Sequence, residues 1–119
     1  MIIAFILVIN CFGTLEVRAN QRRKDNFNMS FTLTGNGAQD VINVALAQQG
    51  KTGTQLGYSE DWCANFVCDC AELAGQSNAI PRGAYYGAVP NLKEYVKNAG
   101  GVDVTSSPQP GDLVFWGDM

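Results

Sequence analysis

The sequence predicts an α+β domain in which three helices precede a β-strand. Apolar residues recur at helical spacing in three segments, and each of these segments is followed by glycine. Near the end of the chain, a Pro-Gly turn leads into a β-prone run over residues 110–117. A chain of 119 residues has the length of one domain, and 46% hydrophobic residues suffice for a modest core.

The first helix is predicted over residues 38–49. Its apolar residues recur three and four positions apart, which places them on one helical face. That face consists of Val41, Val44, Ala45 and Gln48, and it is widened by Ile42 and Leu46. Gly50 follows as a C-terminal stop. Residues 51–59 contain two glycines and no periodicity, so we expect a loop there.

The second helix is predicted over residues 61–74. Ser59, Glu60 and Asp61 offer capping oxygens and negative charge at its start, and Gly75 follows its end. Apolar and small side chains occupy nearly its whole surface, which predicts a buried, central helix. One expected stripe consists of Trp62, Phe66, Cys70 and Leu73, and the neighbouring one of Cys63, Val67, Cys70 and Ala74.

The third helix is predicted over residues 90–99, after a long loop that contains Tyr85 and Tyr86. Pro90 suits the first turn of a helix, and two glycines follow the helix end. Its expected core residues are Leu92, Tyr95 and Val96. The strand at 110–117 comes next. A single strand cannot satisfy its own backbone N–H and C=O groups, so the sequence predicts a sheet whose remaining strands lie outside these 119 residues.

Residues 1–9 form an unbroken apolar run that is typical of a signal peptide. It is too short for a stable membrane span, which needs ~20 residues. We therefore divide the chain into a signal peptide (1–19), a linker (20–36) and the domain (37–119), and expect a secreted or cell-envelope protein. The alternative is a start at Met29, which gives a phage-encoded or cytoplasmic form.

Charge and cysteine usage exclude several functions. A net charge of −3 does not favour nucleic acid as a partner. Of the four cysteines, Cys11 lies in a segment that signal-peptide cleavage would remove, which leaves an odd number, Cys63, Cys68 and Cys70. These three lack the usual spacing of zinc ligands, and the sequence has no histidine to complete a ligand set. We therefore expect neither a disulfide framework nor a metal, and no cofactor.

Cys63 is the candidate catalytic residue because it lies where the second helix begins. A thiolate is the attacking form of cysteine, and the N-terminus of a helix favours it. The alternative for Cys63 is a small buried core residue, which is also the simplest interpretation of Cys70. Trp62 has two interpretations as well, as a core residue or as a platform for substrate.

Residues 61–67, Asp-Trp-Cys-Ala-Asn-Phe-Val, resemble the nucleophile motif of CHAP (cysteine, histidine-dependent amidohydrolase/peptidase) domains and related NlpC/P60 peptidoglycan hydrolases. Residues 110–116, Pro-Gly-Asp-Leu-Val-Phe-Trp, resemble the strand just before the catalytic histidine of that family. The resemblance implies a papain-like fold and a cysteine amidase or endopeptidase that cleaves peptidoglycan peptides. Cys63 would be the nucleophile, and the apolar residues Trp62, Tyr85, Tyr86 and Trp116 would line the substrate groove.

The histidine and the residue that orients it have no counterpart in residues 1–119. Two explanations follow: a fragment of a hydrolase, inactive by itself, or a degenerate hydrolase domain that binds peptidoglycan without cleaving it. The unfinished sheet favours the fragment. A third interpretation is an unrelated small helical protein with a buried cysteine.

Overall fold

The computed structural model describes residues 25–80 and 89–116, and within them the fold consists of three helices. They are α1 (Gly37–Ala47), α2 (Cys63–Leu73) and α3 (Val89–Asn98). The middle helix α2 packs against both of the others, which confirms its predicted central place. Of the described helices, none is long and apolar enough to cross a membrane.

Helix α1 begins at Asn36, whose side-chain oxygen accepts a hydrogen bond from the Gln39 N–H at 3.2 Å. Val41 and Val44 are completely buried, as the periodicity predicted. Leu46 was expected to widen the apolar face, but 60% of it is exposed. The apolar face of α1 is therefore narrower than the sequence suggests.

Two buried polar side chains, Asp40 in α1 and Gln48 directly after it, form hydrogen bonds to the segment that precedes the helix. Asp40 accepts hydrogen bonds from the Thr34 N–H at 2.6 Å, the Thr34 hydroxyl at 2.7 Å and the Gly35 N–H at 3.1 Å. The first of these contributes most to lowering the pKa of Asp40. At the other end, Gln48 accepts from the Asn28 N–H at 2.7 Å and donates to the Asn28 carbonyl at 2.8 Å. Part of the segment that we assigned to a linker thus packs on α1.

Helix α2 ends as the sequence predicted, at a glycine in a left-handed conformation. Gly75 has φ of +73° and donates to the Glu72 carbonyl, while the Gln76 N–H donates to the Ala71 carbonyl at 2.8 Å. This pair of bonds is a Schellman motif, which satisfies the last carbonyls of a helix.

The buried face of α2 differs from the predicted stripes. Cys70 is fully buried as expected, but Phe66, Val67 and Leu73 are only partly buried. The other buried members of the helix are Ala64, Asn65, Cys68, Asp69 and Ala71. The buried face of α2 therefore consists of small and short polar side chains. The larger side chains Phe66, Val67 and Leu73 pack against the core from partly buried positions.

Helix α3 contributes one fully packed side chain, Leu92. Val96 is partly buried against the core, whereas Tyr95, which we predicted to be a core residue, is 41% exposed. The helix therefore covers one side of α2 and leaves most of its own surface in solvent.

The predicted α+β, papain-like fold is wrong for the described residues, because they contain no sheet. Residues 112–116 belong to no helix and no strand. The backbone instead closes a turn, in which the Asp112 N–H donates to the Gln109 carbonyl at 3.0 Å and the Gln109 N–H donates to the Asp112 carboxylate at 2.6 Å. The alternation of a strand persists, with Leu113 and Phe115 against the core and the residues between and after them exposed. Leu113 and Phe115 thus pack one side of this segment against the core, although no strand pairs with it among the described residues.

Candidate active site

The structure places Cys63 at the first residue of α2. The prediction started this helix at Asp61, two residues earlier. Trp62 explains the difference, because its ψ of 1° and φ of −114° are outside the helical region and make it the N-cap. The thiol of Cys63 is thereby brought to the terminal turn, where the backbone N–H groups have no partners within the helix.

Exposure separates Cys63 from the two other cysteines of the same helix. Cys63 is exposed, whereas Cys68 and Cys70 are buried. Burial raises the pKa of the Cys70 thiol well above its ordinary value, and the neighbouring charge of Asp69 raises it further. A high pKa and a buried position both keep a thiol from acting as a nucleophile. Of these three thiols, only that of Cys63 faces solvent.

The acidic residues before α2 do not cap it as predicted. Trp62 is the N-cap, and it makes no side-chain hydrogen bond to the helix backbone. The Glu60 carboxylate instead accepts from the Ser59 N–H at 3.0 Å and from the Asn65 amide at 2.9 Å. Asn65 is buried, and its Oδ1 has no hydrogen-bond partner among the described residues. The first turn of α2 is therefore held by side-chain packing and by one bond between side chains.

An aromatic stack provides that packing. The Trp62 indole lies against the Tyr58 ring, with centroids 5.5 Å apart and planes inclined by 20°. The Trp62 indole also contacts the Phe66 ring, with centroids 5.4 Å apart and an interplanar angle of 83°. Phe66 in turn stacks with Phe27 at 5.9 Å. Trp62 is half-buried in this arrangement, so both of its predicted roles, core residue and exposed platform, remain compatible with its position.

Of the other predicted groove residues, Trp116 is described and is not brought together with Trp62. It is 65% exposed near the end of the described chain, and it is not among the aromatic rings that contact Trp62. Tyr85 and Tyr86 lie outside the described residues. Within residues 25–80 and 89–116, Trp62 is therefore the predicted groove residue that lies next to the thiol.

Sequence reasoning missed the polar residues inside α2. Asn65 is 3% exposed and Asp69 is completely buried, and the Asp69 carboxylate accepts a hydrogen bond from the Tyr58 hydroxyl at 2.6 Å. One signal was available: the two residues are four positions apart, on one face of a helix whose other residues, apart from Glu72, are apolar or small. Polar side chains at that spacing on such a helix indicate buried hydrogen bonds.

Comparisons with known proteins give no independent support for a family, because no family model, curated protein or solved structure matches this chain. Within residues 25–80 and 89–116, no group of three or more His, Cys, Asp or Glu side chains could hold a metal ion. The chemistry that the site offers is therefore that of an accessible thiol at a helix N-terminus.

Proposed function

We propose that the protein is a cysteine amidohydrolase or endopeptidase of cell-wall peptides, with Cys63 as its nucleophile. The observation that carries the proposal is the contrast between the thiols of α2: Cys63 is exposed on the first residue, and Cys68 and Cys70 are buried further along. The substrate class follows from the resemblance of residues 61–67 and 110–116 to peptidoglycan hydrolase motifs. The choice of nucleophile depends on the thiol and its helix, whereas the substrate class depends on that resemblance alone.

In the proposed reaction the Cys63 sulfur attacks the carbonyl carbon of an amide bond in a stem peptide, a cross-bridge or a muramoyl–alanine linkage. Backbone N–H groups of the first turn of α2 would stabilise the oxyanion. The C–N bond then breaks, the leaving amine takes up a proton, and water hydrolyses the resulting thioester to regenerate the thiol.

The 119 residues contain no histidine, so the proposal assigns no general base within them. This suggests a direct test in which imidazole in solution takes that role. The full chain would be incubated with purified peptidoglycan at increasing imidazole concentrations. Soluble fragments and new amino termini would be identified by mass spectrometry, and acid-quenched samples would be searched for an acyl adduct on Cys63.

We expect imidazole-dependent release of fragments and an adduct on Cys63, both lost in Cys63→Ala. Ser77→Ala is the matched control, since Ser77 is exposed in the turn that follows α2. Release that continues in Cys63→Ala would contradict the role of this thiol. Absence of both release and adduct would contradict the hydrolase proposal.

The absence of histidine favours one alternative, a peptidoglycan-binding domain without catalytic activity. Co-sedimentation with peptidoglycan distinguishes the two functions. A binding domain would sediment equally well as wild type and as Cys63→Ala, and neither form would release fragments at any imidazole concentration.

A further inference from the structure

We propose that Gly53 and Tyr58 are positioning residues that hold Trp62 in place and thereby fix the first turn of α2, an inference that rests on the proposed role of Cys63. Trp62 is the residue immediately before the thiol and the N-cap of the helix. Its carbonyl accepts the first intrahelical hydrogen bond, from the Phe66 N–H at 2.8 Å. The orientation of Trp62 therefore sets the orientation of the turn that carries Cys63.

Trp62 needs outside support because its own side chain cannot cap the helix. The indole has an N–H donor and no acceptor, so it cannot bind the N–H groups of the first turn. Common N-cap residues supply an oxygen for that purpose. At this helix the fixing contacts instead come from the loop that precedes it.

Gly53 lies so close to the indole of Trp62 that a side chain at this position would overlap the ring. A Cβ atom at Gly53 would lie 2.6 Å from Trp62 Nε1 and 2.8 Å from both Cδ1 and Cε2. These distances are shorter than any van der Waals contact, and they involve the body of a rigid ring rather than the end of a flexible chain. The lack of a side chain at Gly53 is thus a condition for the observed position of Trp62.

Tyr58 also contacts the indole of Trp62. Three interactions fix the position of Tyr58. Its ring stacks on Trp62, its hydroxyl donates to Asp69 in the middle of α2, and its N–H donates to the Gly53 carbonyl at 2.9 Å. The loop is thereby tied to the body of α2 and to itself. Gly53 and Tyr58 together form a clamp on Trp62.

The test measures the alkylation rate of Cys63 by iodoacetamide in the full chain, resolved from Cys68 and Cys70 by fragment-ion mass spectrometry. Gly53→Ala should displace the indole and loosen the first turn. Because a helix N-terminus stabilises the attacking thiolate, alkylation of Cys63 should slow by about threefold. Gly50→Ala is the matched control, since Gly50 has φ of +91° with open space around it, so alanine strains the same loop without touching Trp62.

A double-mutant cycle separates positioning from a general loss of stability. Alanine at position 62 has none of the three indole atoms that an added Cβ at Gly53 would meet, so Gly53→Ala should have little further effect on the alkylation rate when combined with Trp62→Ala. Tyr58→Phe is a second variant that keeps the ring and loses the bond to Asp69. It should slow the alkylation of Cys63 while Cys68 and Cys70 stay protected.

Three results would overturn the proposal. The first is an equal slowing by Gly53→Ala with and without Trp62→Ala. The second is an equal slowing by Gly50→Ala. The third is exposure of Cys68 and Cys70 in step with the change at Cys63, which would indicate unfolding. None of these measurements requires turnover of peptidoglycan, so failure of the hydrolase proposal would be recognised separately, by the absence of both fragment release and an acyl adduct on Cys63.

Discussion

The hydroxyl of Tyr58 donates a hydrogen bond of 2.6 Å to Asp69 Oδ2, and both side chains are buried. This bond joins the loop before α2 to the middle of that helix, eleven residues further along the chain. A polar pair inside a small core is specific in a way that apolar packing is not, because its geometry is satisfied by one arrangement of the two segments.

Tyr58→Phe should destabilise the fold by about 1–2 kcal/mol, because the substitution removes a buried hydrogen bond and leaves the ring in place. Urea denaturation would measure the free energy of unfolding. Tyr95→Phe is the control, as Tyr95 is 41% exposed, and its effect should stay within about 0.5 kcal/mol. Equal losses in the two variants would mean that the hydroxyl of Tyr58 contributes no more than an exposed one.

The helices were predictable from sequence because local signals determine them. Asn36 before α1 and Gly75 after α2 act through hydrogen bonds within a few residues, and the periodic valines of α1 report its buried face directly. The start of α2 was misplaced by two residues for a related reason. Three acidic or hydroxyl side chains preceded it, but Glu60 turned to Ser59 and Asn65 rather than to the helix backbone.

The strand could not be predicted from its own residues alone, because a β-strand forms only by hydrogen bonding to a neighbouring strand. Residues 112–116 carry the alternation of a strand, and the structure keeps that alternation while providing no ladder among the described residues. The position of Cys63 was predictable from the helix signals. The clamp around Trp62 was not, since it depends on contacts with Gly53 and Tyr58 that no periodicity encodes.

The carboxylate of Asp40 should make the stability of the fold sensitive to acid. Hydrogen bonds, chiefly from the Thr34 N–H, lower its pKa in the folded state. A group with a lowered folded pKa stabilises the fold above its unfolded pKa of about 3.9, and this contribution is lost as the pH falls through the folded value. The stability difference between wild type and Asp40→Asn should therefore be largest near neutral pH and shrink below about pH 4.

Urea denaturation at several pH values would test this prediction. Glu94→Gln removes one exposed negative charge from α3 and serves as the control for net charge. A difference between wild type and Asp40→Asn that stays constant from neutral to acid pH would contradict the assignment to Asp40.

Gln48 should be the main attachment of the segment before α1. Its buried amide accepts from the Asn28 N–H and donates to the Asn28 carbonyl and, at 3.0 Å, to the Val44 carbonyl. Gln48→Ala removes all three bonds and should cost about 2 kcal/mol. Limited proteolysis should then cut near residue 28 sooner.

Gln39→Ala is the matched variant on the exposed side of the same helix, where the Gln39 amide donates only to Asn43 at 2.9 Å. It should change the free energy of unfolding by no more than about 0.5 kcal/mol. If the two glutamine variants unfold at the same urea concentration and are cut at the same rate, the attachment does not depend on Gln48.

Gly111 should be the most sensitive point of the turn that docks the last described segment on α1. Its φ of +107° strains any residue with a side chain, and a Cβ there would lie 2.6 Å from the Cβ of Ala38. Gly100 has nearly the same backbone conformation, with φ of +102°, and nothing within 4 Å of an added Cβ. Alanine at either position introduces the same backbone strain, so the difference between the two variants isolates the contact with α1.

Gly111→Ala should therefore destabilise the fold by about 1 kcal/mol or more beyond Gly100→Ala, as expected for overpacking against a fixed helix. Equal unfolding free energies would show that the turn at 110–111 does not pack on α1 in solution, and Gly111→Ala combined with Ala38→Gly should recover part of the loss if it does.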